Sequence, residues 1–400
     1  MKTALVLAST FPRWKGDTTP SFVYELSRRL ADKGRKIAAL APHSGKSAKY
    51  EKIDSIEIHR FQYFIPANLQ KVAYGAGIIP NVKSSPLAML QVPFFLLSEY
   101  IKASSLIRKY NPNIIHAHWL LPQGVIAAML KKKDTKLIIT IHGSDLFPLK
   151  NLFFRAIQRN VLKNCDTCTV NSEATKNELL KRFPEFKDKV DVIPMGVDTK
   201  MFSKKNIKLK FNEYKNKKII LFVGRLNEQK GIDYLIKAMK IVNAKISNSI
   251  LLIIGEGGYK KELQKIADNL NLDNVEFLGG INQKELADYY NLADVFVLPS
   301  VTSRIGTEGQ GLVLLEAMAC GTPVIGTETG GIKFMIRNND NGILVKERSQ
   351  DELGNAILKI FSDVKLRKKL SKNGIIFVKK NYSWEIVAEK FDEIYRKLEK

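Results

Sequence analysis

Cysteine is scarce: the 400 residues include three, Cys165, Cys168 and Cys320. Such a chain has no disulfide framework and suits a reducing compartment. Cys165-x-x-Cys168 has no second Cys or His pair at zinc-site spacing. It opens the apolar run Cys168-Thr169-Val170, so its expected role is packing at a strand end. No apolar run approaches the roughly 18–20 residues that a membrane-spanning helix needs. The opening MKTALVLAST is broken by Pro12 and Arg13, too soon for a secretory signal. The expectation is a cytoplasmic protein, either free or peripheral on the cytoplasmic face of a membrane. Acidic residues are also short, 40 against 64 basic, for a formal net charge of +24. The first 200 residues hold the larger share of that excess. A field of this sign favours an anionic partner: nucleic acid, an acidic membrane surface or a phosphorylated substrate. A general enrichment in lysine accounts for it equally well.

What is present is globular. With 45% hydrophobic and 26% charged residues, disorder, collagen and coiled coil are excluded as the dominant state. At about 150 residues per domain, two domains are expected. Short apolar runs alternate with amphipathic stretches. Strands are predicted at 4–8, 36–40, 56–61, 113–116, 137–141, 167–170 and 190–193, with helical patterns between most of them. A polar, Lys-rich stretch at 203–218 reads as a linker. The pattern then restarts, with strands predicted at 219–223, 250–254, 275–278, 295–298, 324–325 and 343–345. The fold class is α/β: two doubly wound domains of parallel sheet, which facing each other would make a cleft. One stretch stands apart. PLAMLQVPFFLLSEY at 86–100 is strongly apolar, is interrupted by Pro93, and lies among Lys71, Lys83, Lys102, Arg108 and Lys109. It reads as an interfacial element dipping into an anionic membrane, or as a buried helix of the first domain; length and composition lean to the buried helix.

The densest chemistry lies at 303–331. Gly306, Gly309 and Gly311 lead from a strand into a helix starting at Leu312. A glycine-rich turn opening a helix offers free N–H groups and a positive dipole end, which is a phosphate site. Glu308 in the turn and Glu316 in the helix would supply acceptors for vicinal sugar hydroxyls. Otherwise they are a dipole-complementing charge and a solvated helix face. Arg225 and Lys230 share another loop at a strand's carboxyl end and suit a diphosphate, although Glu228 could pair with them instead. Of five histidines, His116, His118 and His142 fall within 27 residues, at two strand ends. His118, His142 and Asp145 are placed toward a polar substrate rather than a metal; His116 reads as structural. Gly255-Glu256-Gly257-Gly258 matches only part of a dinucleotide fingerprint. Gly16, in the first strand-helix loop, could let a phosphate approach closely.

Taken together, these residues resemble the retaining glycosyltransferases of family 4, which have the GT-B fold of two Rossmann-like domains. The resemblance rests on Glu308…Glu316 within EGQGLVLLEAMACGTPVI, on Val223-Gly224-Arg225-Leu226…Lys230-Gly231, on His142-Gly143-Ser144-Asp145, and on Val192-Ile193-Pro194-Met195-Gly196-Val197-Asp198. It implies an acceptor-binding domain at 1–202, a nucleotide-sugar-binding domain at 203–382, and a C-terminal helix at 383–400 packing back on the first. It implies that Arg225 and Lys230 hold the donor diphosphate, helped by Gly16 and the N–H groups of Gly309, Gln310, Gly311 and Leu312. Glu316 would bind ribose, Glu308 the donor sugar, and His142 would lie against the transferred sugar. His118 and Asp145 are acceptor-side candidates. Gln310 stands where the family usually has an aromatic residue, which bears on donor identity. No metal or other cofactor is implied, since the cations would stabilise the leaving diphosphate. The implied partners are a UDP-, GDP- or ADP-sugar, a glycan or lipid-linked acceptor and an anionic membrane surface, with no nucleic acid.

Other classes fit less well. An NAD-dependent oxidoreductase needs G-x-G-x-x-G after its first strand, which STFPRWKG at 9–16 does not supply. No nucleic-acid-binding module is recognisable. A glycosidase would use the two glutamates but leaves the phosphate loop without purpose. A non-catalytic binding protein would keep the phosphate site without transferring sugar.

Overall fold

The computed structural model describes every residue except 1, 18, 20, 76, 150, 208–210 and 304–305. Parts of the polar linker (208–210) and of the glycine-rich loop (304–305) therefore lie outside the described residues. The chain divides into two compact units. The first comprises Met1–Asn171, Thr175–Pro194 and Val387–Lys400; the second comprises Ser172–Ala174 and Met195–Ile386.

The strands of the first unit are β1 (Thr3–Leu7), β2 (Lys36–Pro42), β3 (Tyr50–Ile53), β4 (Ile56–Phe61), β5 (Ile114–His118), β6 (Lys136–Ile141), β7 (Thr167–Val170) and β8 (Val190–Val192). They form one eight-stranded sheet in the order β3-β4-β2-β1-β5-β6-β7-β8. All pairings are parallel except β3 with β4. Strand β3 is absent from the sequence-based expectation. It is a polar, partly exposed edge strand, YEKI, so no apolar run marks it. Asp54 and Ser55 turn it back onto β4, with Asp54 in the left-handed region at φ 51°. The helices are α1 (Phe22–Asp32), α2 (Ile78–Ser84), α3 (Pro86–Tyr110), α4 (Val125–Leu130), α5 (Leu152–Asn164) and α6 (Glu173–Arg182). Helix α1 buries Val23, Leu26 and Leu30 at helical spacing.

Helix α3 departs from expectation twice. It runs unbroken through Pro93. The ring lies on the exposed side, so the carbonyl of Met89 that loses its partner also lies away from the core. Nor is α3 simply a buried helix, because its outward side is apolar and open.

The second unit has β9 (Lys218–Val223), β10 (Ser249–Ile254), β11 (Val275–Gly279), β12 (Val295–Leu298), β13 (Val324–Thr327) and β14 (Ile343–Val345). The order is β11-β10-β9-β12-β13-β14, all parallel. Its helices are α7 (Ile232–Asn243), α8 (Lys260–Asn269), α9 (Gln283–Leu292), α10 (Leu312–Ala319), α11 (Ile332–Met335), α12 (Gln350–Ser362), α13 (Val364–Asn381) and the start of α14 (Trp384–Leu398). Strands such as β10, SILLII, are buried along their whole length, as parallel strands covered on both faces must be. Each sheet reverses its winding once, between β1 and β5 and between β9 and β12. Ligands in such sheets bind beyond the carboxyl ends of the strands at that reversal.

Residues of α14 from Val387 onward belong to the first unit. Arg35 donates from Nε to Asp392 (2.6 Å) and from a terminal nitrogen to Glu399 (2.7 Å). The Tyr395 hydroxyl pairs with His116 Nδ1 at 2.9 Å. His116 Nε2 meets the Thr140 hydroxyl at 2.7 Å, so His116 is a satisfied core residue. The cysteines are buried and free, and burial pushes the Cys165 thiol up to about 11.

Candidate active site

In the second unit, Arg225, Lys230 and Glu308 come from two separate loops at the reversal between β9 and β12. The Lys230 ammonium is ion-paired with Glu308 Oε2. The Ser300 hydroxyl donates to the same oxygen at 3.2 Å. Burial works to raise the Glu308 carboxyl, but Lys230, Ser300 and the charge of Arg225 outweigh it and hold the group below the usual carboxylate range. Glu308 is thus an anion braced by two cations, and more than a dipole-complementing charge.

Glycines make this convergence possible by letting backbones touch. A Cβ on Gly231 (φ 61°) would lie 2.1 Å from the Pro299 carbonyl oxygen, so the Lys230 loop docks directly on the end of β12. A Cβ on Gly255 or Gly257 would likewise lie 1.9 Å from the Gly224 carbonyl oxygen or 2.1 Å from that of Leu226. Their role here is spacing between the loops after β9 and β10. Gly330 and Gly331 clamp the far side, and the Gly331 N–H donates to the Glu308 carbonyl at 2.8 Å. The Thr329 hydroxyl joins those of Thr302 and Thr307, each at 2.8 Å.

Helix α10 begins at Gly311, which is left-handed (φ 81°) and supplies no side-chain cap. The first-turn N–H groups of a helix have no intrahelical acceptor, so those of Leu312 and Val313 are offered to an anion. The Gln310 side chain has its own partner within the second unit. Its amide is buried, accepting from the Met195 N–H (2.9 Å) and donating to the Met195 carbonyl (2.8 Å). Its side chain ties the loop to 195, and its backbone alone remains for a ligand. Glu316 is not on a solvated face: its Oε2 accepts from the Tyr290 hydroxyl of α9 at 2.8 Å. Burial pushes its carboxyl up to about 7, against the pull of that hydrogen bond.

In the first unit, His142 lies at the end of β6 between the rings of Phe22 (4.9 Å) and Trp119 (4.8 Å). Its Nε2 shares a hydrogen bond with His118 Nδ1 at 3.0 Å. Burial pushes the His142 imidazole down to about 3, so it is neutral near pH 7. His118 and Asp145, the acceptor-side candidates, are both buried and bonded within the first unit. His118 is buried, stacked between His116 and His142. Asp145 is buried with both oxygens turned to backbone, accepting from Leu120 (2.6 Å) and His142 (3.2 Å). It ties the ends of β5 and β6 together, and burial pushes it up to about 6. Among the described residues no group of three or more His, Cys, Asp or Glu is arranged to hold a metal ion.

Gly16 lies in the β1–α1 loop at φ 87°, with open space where a Cβ would project. The loop is braced by Asp17, which accepts from the Arg13 Nε (2.9 Å) and a terminal guanidinium nitrogen (2.7 Å). Burial would raise Asp17, but Arg13 holds it down to about 2. Sequence reasoning missed Ser300, Tyr290 and this Arg13–Asp17 brace. Glycines after some strand ends, such as Gly224 and Gly255, were the visible signal, and they reported the loop contacts without naming their partners.

Comparison with known proteins bears on this arrangement. Residues 20–201 match the family model described as Glycosyltransferase Family 4, and residues 203–377 match that described as Glycosyl transferases group 1. An uncharacterised glycosyltransferase of Methanocaldococcus jannaschii is 31% identical over 350 residues, covering 87% of this chain and 92% of the relative. The chain belongs to glycosyltransferase family 4. This glycosyltransferase is also similar to a GDP-mannose-dependent alpha-(1-6)-phosphatidylinositol monomannoside mannosyltransferase of Mycobacterium tuberculosis. That pair is 27% identical over 270 residues, covering 66% of this chain and 70% of the other. Among solved structures, the sucrose-phosphate synthase of Thermosynechococcus elongatus superposes with a TM-score of 0.81 at 25% identity, over 100% of this chain and 99% of that one. The two parallel-sheet units of the glycosyltransferase are those of the GT-B fold.

Proposed function

We propose that this glycosyltransferase moves a sugar, with retention of anomeric configuration, from a UDP-, GDP- or ADP-sugar to a glycan or lipid-linked acceptor in cell-surface polysaccharide or glycolipid synthesis. The observation that carries the donor assignment is the Arg225–Lys230–Glu308 cluster beside the open N-terminus of α10. A donor diphosphate entering here competes for Lys230, and Arg225 and the Leu312 and Val313 N–H groups complete its cradle. Glu308 then turns from lysine partner to acceptor of sugar hydroxyls. Glu316, held by Tyr290, accepts from the ribose. As the bond from the anomeric carbon to the phosphate oxygen breaks, negative charge grows on the diphosphate, and the fixed cations stabilise it. The acceptor oxygen bonds to the anomeric carbon on the same face, and its proton passes to the departing phosphate oxygen. No metal takes part in this scheme. The mycobacterial relative, named for GDP-mannose and a phosphatidylinositol glycoside, supports a nucleoside-diphosphate donor and a lipid acceptor.

The test is calorimetric titration with UDP, GDP and ADP without added metal, followed by turnover with the sugars of whichever nucleotide binds. Arg225→Ala and Lys230→Ala are expected to lower kcat by about 10²–10³-fold with the fold retained. Near-normal turnover in both variants would discard the assignment.

A further inference from the structure

Helix α3 is built inside out. Its core-facing side includes Gln91 and Glu99, both 0% exposed. Its outward side carries Leu90 (64% exposed), Phe94 (50%), Leu97 (57%) and Ile101 (59%). These four repeat at helical spacing, so they form one stripe. A helix facing water shows the reverse pattern. The stripe widens through the loop before α2: the Phe64 and Phe94 rings lie 6.4 Å apart, and neighbouring Ile65 is exposed. Gln91 holds that loop in place, accepting from the Lys71 N–H (2.9 Å) and donating to the Leu69 carbonyl (2.8 Å). The inward polar groups are therefore structural, and the outward apolar ones, Phe94 beside Phe64 included, stay exposed.

The charge around the stripe is of one sign. Between Glu57 and Asp134 the sequence has a single acidic residue, Glu99. It is buried beside Gln123 and does not face solvent. Lys71 and Lys83 are exposed before α3, and Arg108 and Lys109 are exposed in its last turn. No helix among the described residues is long and apolar enough to cross a membrane. Residues 86–101 of α3, about 24 Å long at 1.5 Å per residue, match an element lying in the plane of an interface.

We propose that the outward face of α3 docks the protein on an anionic lipid bilayer, with the Leu90–Phe94–Leu97–Ile101 stripe entering the headgroup-acyl boundary and the flanking lysines and arginine meeting lipid phosphates. The assignment does not depend on which donor or acceptor the transferase uses. An apolar contact with a second copy of this chain would leave the one-signed charge unexplained, because two basic rims would repel.

The experiment is co-sedimentation of the full chain with phosphatidylcholine vesicles containing or lacking phosphatidylglycerol, at low and high salt, with oligomeric state followed by analytical ultracentrifugation. Binding is expected with phosphatidylglycerol, falling with salt and nearly absent without it. Combined Leu90→Ser, Phe94→Ser, Leu97→Ser and Ile101→Ser is expected to weaken partitioning at least tenfold, with circular dichroism unchanged. Lys71→Glu, Lys83→Glu and Arg108→Glu should each weaken it by roughly fivefold or more. No binding to phosphatidylglycerol vesicles at low salt overturns the proposal. So does binding that the four-serine variant leaves intact. A dimer that the serine variant dissociates, without vesicle binding by the parent, gives the face to a second copy and likewise overturns it.

Discussion

Lys230 and Glu308 occupy each other, so in the proposed scheme donor entry is an exchange of partners for the lysine. Without a ligand, Glu308 is held ionised by Lys230, Ser300 and Arg225, the form in which the proposed scheme has it accept sugar hydroxyls. Other carboxyls are set differently. Glu99 is wholly buried, with the Gln123 amide 3.4 Å away, and burial pushes it up to about 8. Its folded value lies above the ordinary 4.5, so the folded state holds a proton that the unfolded chain releases. The contribution of this group to stability is full below about pH 4.5 and is lost progressively as pH rises through 8. Glu99→Gln is expected to remove that slope and to exceed the parent by roughly 1–3 kcal/mol above pH 8. Denaturant unfolding of both proteins across this range checks it, and parallel pH profiles would contradict the burial argument. The sequence singled out Arg225, Lys230, Glu308 and His142 by residue type and setting. It could not show that the Gln310 amide turns to Met195, or that Asp145 turns to backbone, because the direction of a polar side chain is set by which unpaired N–H and C=O groups the fold leaves nearby.

At the level of elements, α9 and α10 act as a pair. Tyr290 projects from α9 to hold the carboxylate of Glu316 on α10, and its hydroxyl pulls that carboxyl's proton affinity down while burial raises it to about 7. If ionised Glu316 binds ribose, nucleoside diphosphate affinity rises with pH through 7. Tyr290→Phe removes the donor, so the midpoint is expected to move upward by about 0.5–1 unit, at little cost to affinity in the alkaline limit. Titration calorimetry across pH reads this, and a midpoint that stays or falls would rule out the positioning role. Most strands were legible as apolar runs, because burial on both faces of a parallel sheet demands them. Strand β3 was not, since a polar edge strand is defined by its turn and its partner. Helix α3 misled for the opposite reason: its apolar residues implied burial, and the fold instead buried Gln91 and Glu99.

At the scale of the molecule, two sheets each reverse their winding once, and the chain completes the first unit only at its end. Residues 387–400 contribute Tyr395 to His116, and Asp392 and Glu399 to Arg35, a guanidinium only 9% exposed. Removing them leaves a buried charge unpaired and a core histidine uncapped. Truncation after Ile386 is expected to destabilise the first unit by at least about 3–5 kcal/mol. Hydrogen exchange resolved by unit is expected to show protection lost from β5 and α1 while the second sheet keeps its own. Equal protection in β5 would refute it. The α/β class, the restart of the strand pattern after residue 218 and the loops bearing the charged groups followed from the sequence alone. Strand periodicity, glycine placement and charge are local properties, and each is set by the residues that carry it. Tertiary structure alone decided the Lys230–Glu308 pairing, the inward turn of Gln310 and Asp145, the Tyr290–Glu316 bond and the outward apolar face of α3. Each depends on which groups from distant parts of the chain arrive together, and on whether burial leaves a hydrogen bond for every polar atom among them.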